Sequence, residues 1–121
     1  VYLYYFHIHH QNCFYLKKRQ GKGIWQNLFE FPSVESDRSL SFEELVTNPS
    51  FQSLFPSPSE LDFRLIIQNR KHILSHRVLY ATFYEVSVDE AFQLSDDYIL
   101  ITPEELNHYP LHRLMELYFE A

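Results

Sequence analysis

LKKRQGKGIWQNLFEFP, the stretch from Leu16 to Pro32, decides the fold together with a second stretch, HILSHRVL, from His72 to Leu79. Gly21 and Gly23 are the only glycines in the chain, and both fall inside the first stretch. Glycine adopts left-handed backbone conformations without a steric penalty, so these two positions predict a loop. Residues 28–31, three of which are apolar, predict a short returning strand.

The segments before this stretch predict a β-hairpin. Residues 1–9 and 13–18 are rich in β-branched and aromatic side chains without a helical period, and a polar break separates them. Such a composition favours two strands on either side of a turn. Three more strands are predicted downstream, at residues 62–74, 77–86 and 96–101.

Helix signals occur at two places. Ser41 precedes an apolar stripe and is followed three residues later by Glu44, the spacing of a capping box, and Pro49 limits this helix to about two turns. Residues 47–60, with three Pro and four Ser, predict a connecting loop. Residues 102–105 predict the start of a C-terminal helix that restarts at Pro110. Its core-facing residues are Leu111, Leu114, Met115 and Tyr118.

Length and composition limit the possible functions. The 121 residues, 45% of them hydrophobic, fit one domain, and eleven Phe and nine Tyr supply large apolar side chains for its core. A net charge of −6 argues against a free-standing nucleic-acid binder, so any DNA contact must be local or assisted by another domain. The single Cys13 excludes an internal disulfide and a Cys-based metal site, so we expect the cytoplasm. Residues 1–8 are too short for a membrane helix and lack the flanks of a signal peptide.

Two groups of residues raise questions of metal binding and catalysis. His7 and His9 share a strand face at a spacing that can chelate a metal, and His10 follows them. No Cys or carboxylate lies directly beside them in the sequence, so no metal site is predicted. Ser75 and His76 lie between two predicted strands, and as adjacent residues of extended backbone they would point to opposite faces, so they form no catalytic pair.

The first stretch resembles the strand-loop-strand that opens Nudix-type domains. It is also similar to a motif in the C-terminal domain of MutY-type adenine DNA glycosylases, whose positions are matched here by Leu16, Arg19, Gly23, Trp25, Leu28, Glu30, Phe31 and Pro32. The second stretch resembles the short Ser-His signature of the same domain. It is matched by His72, Ser75, His76 and Leu79, with Leu74 where the family has Phe. Residues 109–115 resemble the closing helix of that family.

This resemblance implies an α+β, Nudix-like fold, with a mixed β-sheet flanked by helices in an α/β/α sandwich. It also implies that residues 1–121 are a single 8-oxoguanine-recognition domain, a fragment of a larger bacterial glycosylase of base excision repair. That enzyme removes adenine mispaired with 8-oxoguanine, and its base chemistry and 4Fe-4S cluster would reside in an N-terminal domain. The fragment itself is expected to hold no catalytic residue, cofactor or metal. Its expected partner is duplex DNA with 8-oxoguanine:adenine mispairs, bound as a monomer together with that N-terminal domain and away from any membrane.

The motif match also implies roles for four residues. Leu74, Ser75 and His76 would recognise the lesion, and His76 and Arg77 would contact the DNA backbone. A Ser75 oxygen could accept the N7 proton that 8-oxoguanine has and guanine lacks. Leu74 either presses against a base step or belongs to the core. His76 and Arg77 either reach phosphate or are simply two solvated polar residues on a turn.

Two other functions stay open. A catalytic Nudix hydrolase carries an Arg-Glu-x-x-Glu-Glu run on its helix, which collects carboxylates around Mg²⁺. That run is missing after Pro32, and the neighbouring Glu43 and Glu44 would diverge by roughly 100° on a helix. A protein-interaction module on the same scaffold would instead bind a partner through residues 47–60.

Overall fold

The computed structural model describes residues 1–121 and contains one seven-stranded β-sheet. Its strands are β1 (Tyr2–His10), β2 (Cys13–Lys18), β3 (Phe29–Glu30), β4 (Ser33–Ser36), β5 (Arg64–Ile73), β6 (Val78–Val88) and β7 (Tyr98–Ile101). Its α-helices are α1 (Phe42–Leu45), α2 (Pro49–Leu54) and α3 (Arg113–Glu120), and two 3-10 turns cover Pro58–Glu60 and Pro103–His108. No helix has the length and apolar character that crossing a membrane requires.

The sheet is mixed because its two central strands are parallel. β1 and β6 pair from Tyr2↔Tyr80 to His10↔Val88. The strand order is β3-β2-β1-β6-β5, with β4 also pairing with β1 and β7 with β2, and all of these other pairs are antiparallel. The expected mixed sheet is therefore confirmed.

Alternate residues of the central strands build one core on each face of the sheet. On the side that we call the α3 face, Leu3 and Tyr5 of β1 share a buried cluster with Leu114 of α3. On the opposite face, Phe6 shares a second cluster with Phe51 of α2. Successive side chains of a strand point to opposite faces, so a sheet that is covered on both sides needs consecutive apolar residues. The helices therefore flank the sheet, as expected.

The predicted hairpin and the predicted helix cap are both confirmed. β1 and β2 pair antiparallel, with His10↔Cys13 beside the turn. At the start of α1, the Ser41 hydroxyl accepts the Glu44 N–H at 3.2 Å and the Glu44 carboxylate accepts the Ser41 N–H at 3.1 Å. The C-terminal helix begins later than predicted, at Arg113, because Thr102 starts only a 3-10 turn.

The prediction of a connecting loop over residues 47–60 was wrong, because helix α2 lies within it. The Asn48 side chain accepts the Ser50 N–H at 2.8 Å and caps the helix. Pro49 occupies the first helical position, where its missing N–H has no cost. Phe51 and Leu54 are buried, so the apolar stripe of α2 stabilises a helix that its composition did not predict.

A buried carboxylate joins three distant segments of the chain on the α3 face. Glu30 ends β3 and is 6% exposed. One Arg19 nitrogen donates to both of its oxygens, at 3.1 and 3.0 Å. The Tyr5 hydroxyl from β1 donates to Oε1 at 3.0 Å. His112, at the start of α3, also contacts Oε1, through Nε2 at 2.9 Å.

The position of His112 fixes its role in this network. Its Nδ1 accepts the Met115 N–H at 3.4 Å and so caps α3. Nε2 is then the protonated nitrogen, and it donates to Glu30. His112 is 1% exposed, so one buried ring both begins the last helix and anchors it to β3.

The hydrogen bonds around Glu30 set its protonation state. Burial acts to raise the pKa of Glu30, but the hydrogen bond from His112 and the charge of Arg19 outweigh it. The pKa of Glu30 therefore lies below its ordinary value, and the carboxylate stays ionised at neutral pH.

Changing Glu30 to Gln should lower the free energy of unfolding by about 3 kcal/mol, because it leaves the mostly buried Arg19 without its counter-ion. Urea unfolding at neutral pH measures this loss. Glu35→Gln, at an exposed position on β4, is the control and should change stability by less than about 0.5 kcal/mol. Equal effects of the two changes would contradict the role of Glu30.

The difference between wild type and Glu30→Gln should also depend on pH. A carboxylate whose folded-state pKa is lowered stabilises the fold above its unfolded-state pKa, near 4.5, and this contribution is lost as the pH falls through the folded-state value. The stability difference should therefore be full at neutral pH and shrink in acid. A difference that stays constant down to the acid transition would show that the charge of Glu30 does not matter.

Candidate functional site

The second stretch forms a tight turn at one end of the sheet. β5 and β6 pair up to Ile73↔Val78, and the chain reverses within the four residues between them. The Leu74 N–H donates to the Arg77 carbonyl at 2.8 Å and closes the turn. The predicted strands, which end at residue 74 and resume at residue 77, therefore agree closely with the structure, whereas the premise that Ser75 and His76 are extended strand residues was wrong.

Three of the four turn residues face solvent. Ser75, His76 and Arg77 are exposed, so their side chains are free to meet a ligand. Leu74 is different, because it is partly buried and packs against the core of the α3 face. Leu74 thus attaches the turn to the core, and the polar side chains at its tip lie in solvent.

Trp25 connects the turn to the first stretch and to α3. Its ring stacks on His112 with a centroid distance of 4.0 Å and lies 5.8 Å from the ring of His72. The backbone φ of Trp25 is 57°, a left-handed conformation that is uncommon for a bulky residue. Because such strain persists only where surrounding contacts enforce it, the loop is built to hold this ring in place. The three stretches that the sequence singled out therefore meet at Trp25.

The loop that carries Trp25 is closed by its own backbone. The Arg19 N–H donates to the Leu28 carbonyl at 2.9 Å, and the Asn27 N–H donates to the Arg19 carbonyl at 3.0 Å. Gly21 and Gly23 have φ values of 78° and 150°, which agrees with the predicted turn. Arg19 is thus fixed at its backbone by the loop and at its side chain by Glu30.

The β5-β6 hairpin is a basic region in an acidic chain. Between Phe63 and Tyr84 the sequence contains four Arg or Lys and no Asp or Glu, although the net charge of the chain is −6. Arg70 pairs with Ala81 and His72 with Leu79, two residues of the α3-face core, so Arg70 and His72 lie on the face that carries Trp25. Arg77 is at the tip. Arg64 lies at the far end of the hairpin and pairs with Glu85, so the positive charge near the turn comes from Arg70, Lys71 and Arg77.

Glu43 and Glu44, the two carboxylates considered for a hydrolase site, do not form a metal-binding cluster. Glu43 is exposed on α1, and Glu44 beside it is engaged in the helix cap and in an ion pair with Arg38 at 2.7 Å. The Ser41 backbone N–H, followed by the Arg38 side chain, lowers the pKa of Glu44. The two carboxylates do not converge on a common point with a third acidic or histidine ligand.

One cluster was missed by the sequence reasoning. The parallel pairing of β1 with β6 puts Glu85 opposite His7, and the Glu85 carboxylate lies 2.8 Å from Nε2 of His9. The premise that no carboxylate lies near these histidines was therefore wrong. Glu85 is more than 75 residues away along the chain, so no local spacing could indicate it.

Comparison with protein families assigns the fold. The family model of the NUDIX domain matches residues 4–121, which is nearly the whole chain. The chain belongs to the Nudix family. No curated protein sequence matches it.

Solved structures of other proteins share this Nudix fold. The C-terminal domain of mouse MUTYH, solved in complex with human PCNA, superposes with a TM-score of 0.74 at 19% identity, covering 98% of this chain and 84% of that one. A Nudix hydrolase from M. smegmatis, RenU, gives a TM-score of 0.67 at 11% identity, covering 98% and 80%. The solution structure of the E. coli ORF135 protein gives 0.54 at 16% identity, covering 99% and 90%. At these identities, the likeness establishes the fold alone.

Truncating the Leu74 side chain tests whether it belongs to the core of this Nudix domain or is available to contact a ligand. Leu74→Ala should lower the free energy of unfolding by about 1 to 2 kcal/mol, because a partly buried Leu loses fewer contacts than a core Leu. Ser75→Ala, exposed in the same turn, is the control and should change stability by less than about 0.5 kcal/mol. Chemical denaturation measures both. If Leu74→Ala leaves the free energy of unfolding unchanged, the Leu74 side chain does not stabilise the core and is available for another role.

Proposed function

We propose that this chain is the lesion-recognition domain of an A/G-specific adenine DNA glycosylase, which reads 8-oxoguanine opposite adenine in base excision repair. The observation that carries the proposal is the meeting of the two glycosylase-like motifs. Trp25 of the first motif lies against His72 of the second, and the exposed Ser75 follows three residues later at the tip of the hairpin. The likeness to the mouse MUTYH domain supports the fold on which this site is built.

Ser75 would distinguish the lesion by a hydrogen bond to the base edge. 8-Oxoguanine presents an N7 proton where guanine presents a lone pair, so an oxygen acceptor favours the lesion by ~1 to 3 kcal/mol. A hydroxyl also donates, and it must therefore be oriented by a neighbouring donor. The side chains of His76 and Arg77 are exposed beside it and are donors of this kind.

The basic hairpin would position the turn on the DNA backbone. Arg70, Lys71 and Arg77 supply cations that can neutralise phosphates without reading the sequence. Because the chain as a whole is acidic, most of the affinity would come from the catalytic domain of the parent glycosylase. That domain would also supply the base chemistry and the 4Fe-4S cluster.

A catalytic Nudix hydrolase is the alternative, since the RenU hydrolase has the same fold. The arrangement of Glu43 and Glu44 argues against it, because Glu44 is engaged by the helix cap. A protein-interaction role is a further alternative, and the MUTYH domain was solved with a protein partner. The segment proposed for that role contains α2, whose apolar side chains are buried in the core.

Changing Ser75 to Ala in the natural protein that contains this chain should lower preference for the lesion and leave adenine excision itself intact. The ratio of activity on adenine opposite 8-oxoguanine to activity opposite guanine should fall roughly ten-fold or more, as expected for loss of ~1 to 3 kcal/mol at the base edge. Single-turnover kinetics on the two duplexes measure the ratio.

Arg77→Ala is the matched control in the same turn. Loss of a phosphate contact should weaken binding to both duplexes alike and flatten the salt dependence, while their activity ratio stays the same. If Ser75→Ala leaves the ratio unchanged, Ser75 does not read the lesion.

The hydrolase alternative has its own test. Purified protein is expected to release no phosphate or pyrophosphate from nucleoside diphosphate and triphosphate derivatives in the presence of Mg²⁺. Mg²⁺-dependent turnover that Glu43→Gln or Glu44→Gln abolishes would establish the hydrolase and refute the proposal that this chain is non-catalytic.

A further inference from the structure

Two histidines and a carboxylate converge at the centre of the sheet, outside the candidate DNA-binding turn. His7 and His9 lie on one face of β1, and Glu85 lies beside them on β6. One ring nitrogen of His7, one ring nitrogen of His9 and a Glu85 oxygen all lie within 4.8 Å of one another. The two rings are held close together, with centroids 4.0 Å apart.

The distances suit a metal ion of the size of zinc. Ligand bonds of about 2.0 to 2.2 Å in a tetrahedral arrangement place neighbouring ligand atoms roughly 3.4 Å apart. Here Oε2 of Glu85 lies 2.8 Å from Nε2 of His9 and 4.0 Å from Nδ1 of His7, values on either side of that spacing. Side-chain rotations alone can equalise them, because the three backbone positions are fixed by the central pair of strands.

A metal requires unprotonated imidazole nitrogens and an ionised carboxylate, so zinc would take the place of the proton that joins Nε2 of His9 to Glu85. Burial, with a contribution from His9, lowers the pKa of His7 to about 4, although the Glu85 charge acts to raise it. The hydrogen bond from His9, joined by Arg64, lowers the pKa of Glu85 despite its partial burial.

Two neighbours compete for these ligands without blocking them. Tyr118 of α3 contacts Nδ1 of His7 at 2.8 Å, and Arg64 pairs with the other oxygen of Glu85. The Arg64 side chain is 71% exposed, so it can swing into solvent. The Tyr118 hydroxyl is an uncharged group that makes this one side-chain hydrogen bond, so it can be displaced.

We propose that His7, His9 and Glu85 bind a divalent transition-metal ion, with zinc as the ion that this ligand set suits best. Imidazole and carboxylate are ordinary zinc ligands, whereas Mg²⁺ takes oxygen ligands in octahedral geometry. Three protein ligands leave a fourth position open. His7 and His9 border a surface cleft of about 670 Å³, into which that position can open. The site is independent of the turn at Ser75.

The test is a titration of the purified, metal-free protein with zinc chloride in a calorimeter, with far-UV circular dichroism to show that each variant is folded. Wild type should bind one equivalent of zinc saturably, and zinc should raise its melting temperature. His9→Ala and Glu85→Gln, both at partly exposed side chains, should each weaken binding by about ten-fold or more. His10→Ala, next in sequence to His9, is the matched control and should bind as wild type does.

Wild-type protein loaded with Co²⁺ provides a measurement that depends on no variant. The proposal predicts the strong visible absorption of a four-coordinate ion and no rise in melting temperature with Mg²⁺. Binding that persists unchanged in both His9→Ala and Glu85→Gln would assign the zinc to other histidines and overturn the proposal. The weak spectrum of a six-coordinate Co²⁺ ion, or an absence of saturable zinc binding, would overturn it equally.

Discussion

The rest of the α3 face depends on the hydrogen bonds that the buried Glu30 carboxylate accepts. It receives hydrogen bonds from Arg19 in the loop, Tyr5 in the central strand and His112 at the start of α3. A buried charge is tolerated only when it is paired and fully hydrogen-bonded, so each of these partners must stay in position. One side chain thereby fixes how the loop, the sheet and the last helix are placed relative to each other.

This constraint extends to the candidate site through Trp25. The Glu30 network fixes His112, and the His112 ring supports Trp25, which in turn lies against His72 just before the turn. The motif residues of the first stretch therefore act in the structure as a support for the second. A domain that recognises a base edge needs such support, because a hydrogen bond discriminates only when its acceptor is held in place. The exposed Ser75 is then the tip of a rigid hairpin.

The sequence predicted the parts of the fold that depend on local patterns. The first hairpin, the cap at Ser41 and the loop at the two glycines follow from side chains within a few residues of one another. Helix α2 was missed because burial of Phe51 and Leu54 against the sheet outweighs a composition typical of loops. Tertiary packing commonly overrides local propensity in this way.

In the candidate site too, the features set by local sequence were predicted and the contacts between distant residues were not. The motif match pointed to Ser75 and its neighbours, and the predicted strand bounds left Ser75 and His76 between two strands, where the structure has the turn. The sequence left open whether Leu74 belongs to the core, and the structure shows that it packs there. The contacts of Trp25 with His72 and of His7 with Glu85 join residues about 50 and 80 positions apart, respectively. Pairings at such separations are set by sheet topology, which no single stretch of sequence contains.

The most direct test of lesion reading is an amide chemical-shift titration of the isotope-labelled protein at low salt, which reports weak binding residue by residue. Duplexes that differ only in 8-oxoguanine or guanine opposite adenine are compared. We expect both duplexes to shift the backbone signals of the basic hairpin, and only the 8-oxoguanine duplex to produce large shifts at Ser75 and its turn and at the Trp25 indole. Identical shifts with the two duplexes, or shifts confined to another surface, would contradict the assignment of this turn as the site that reads the lesion.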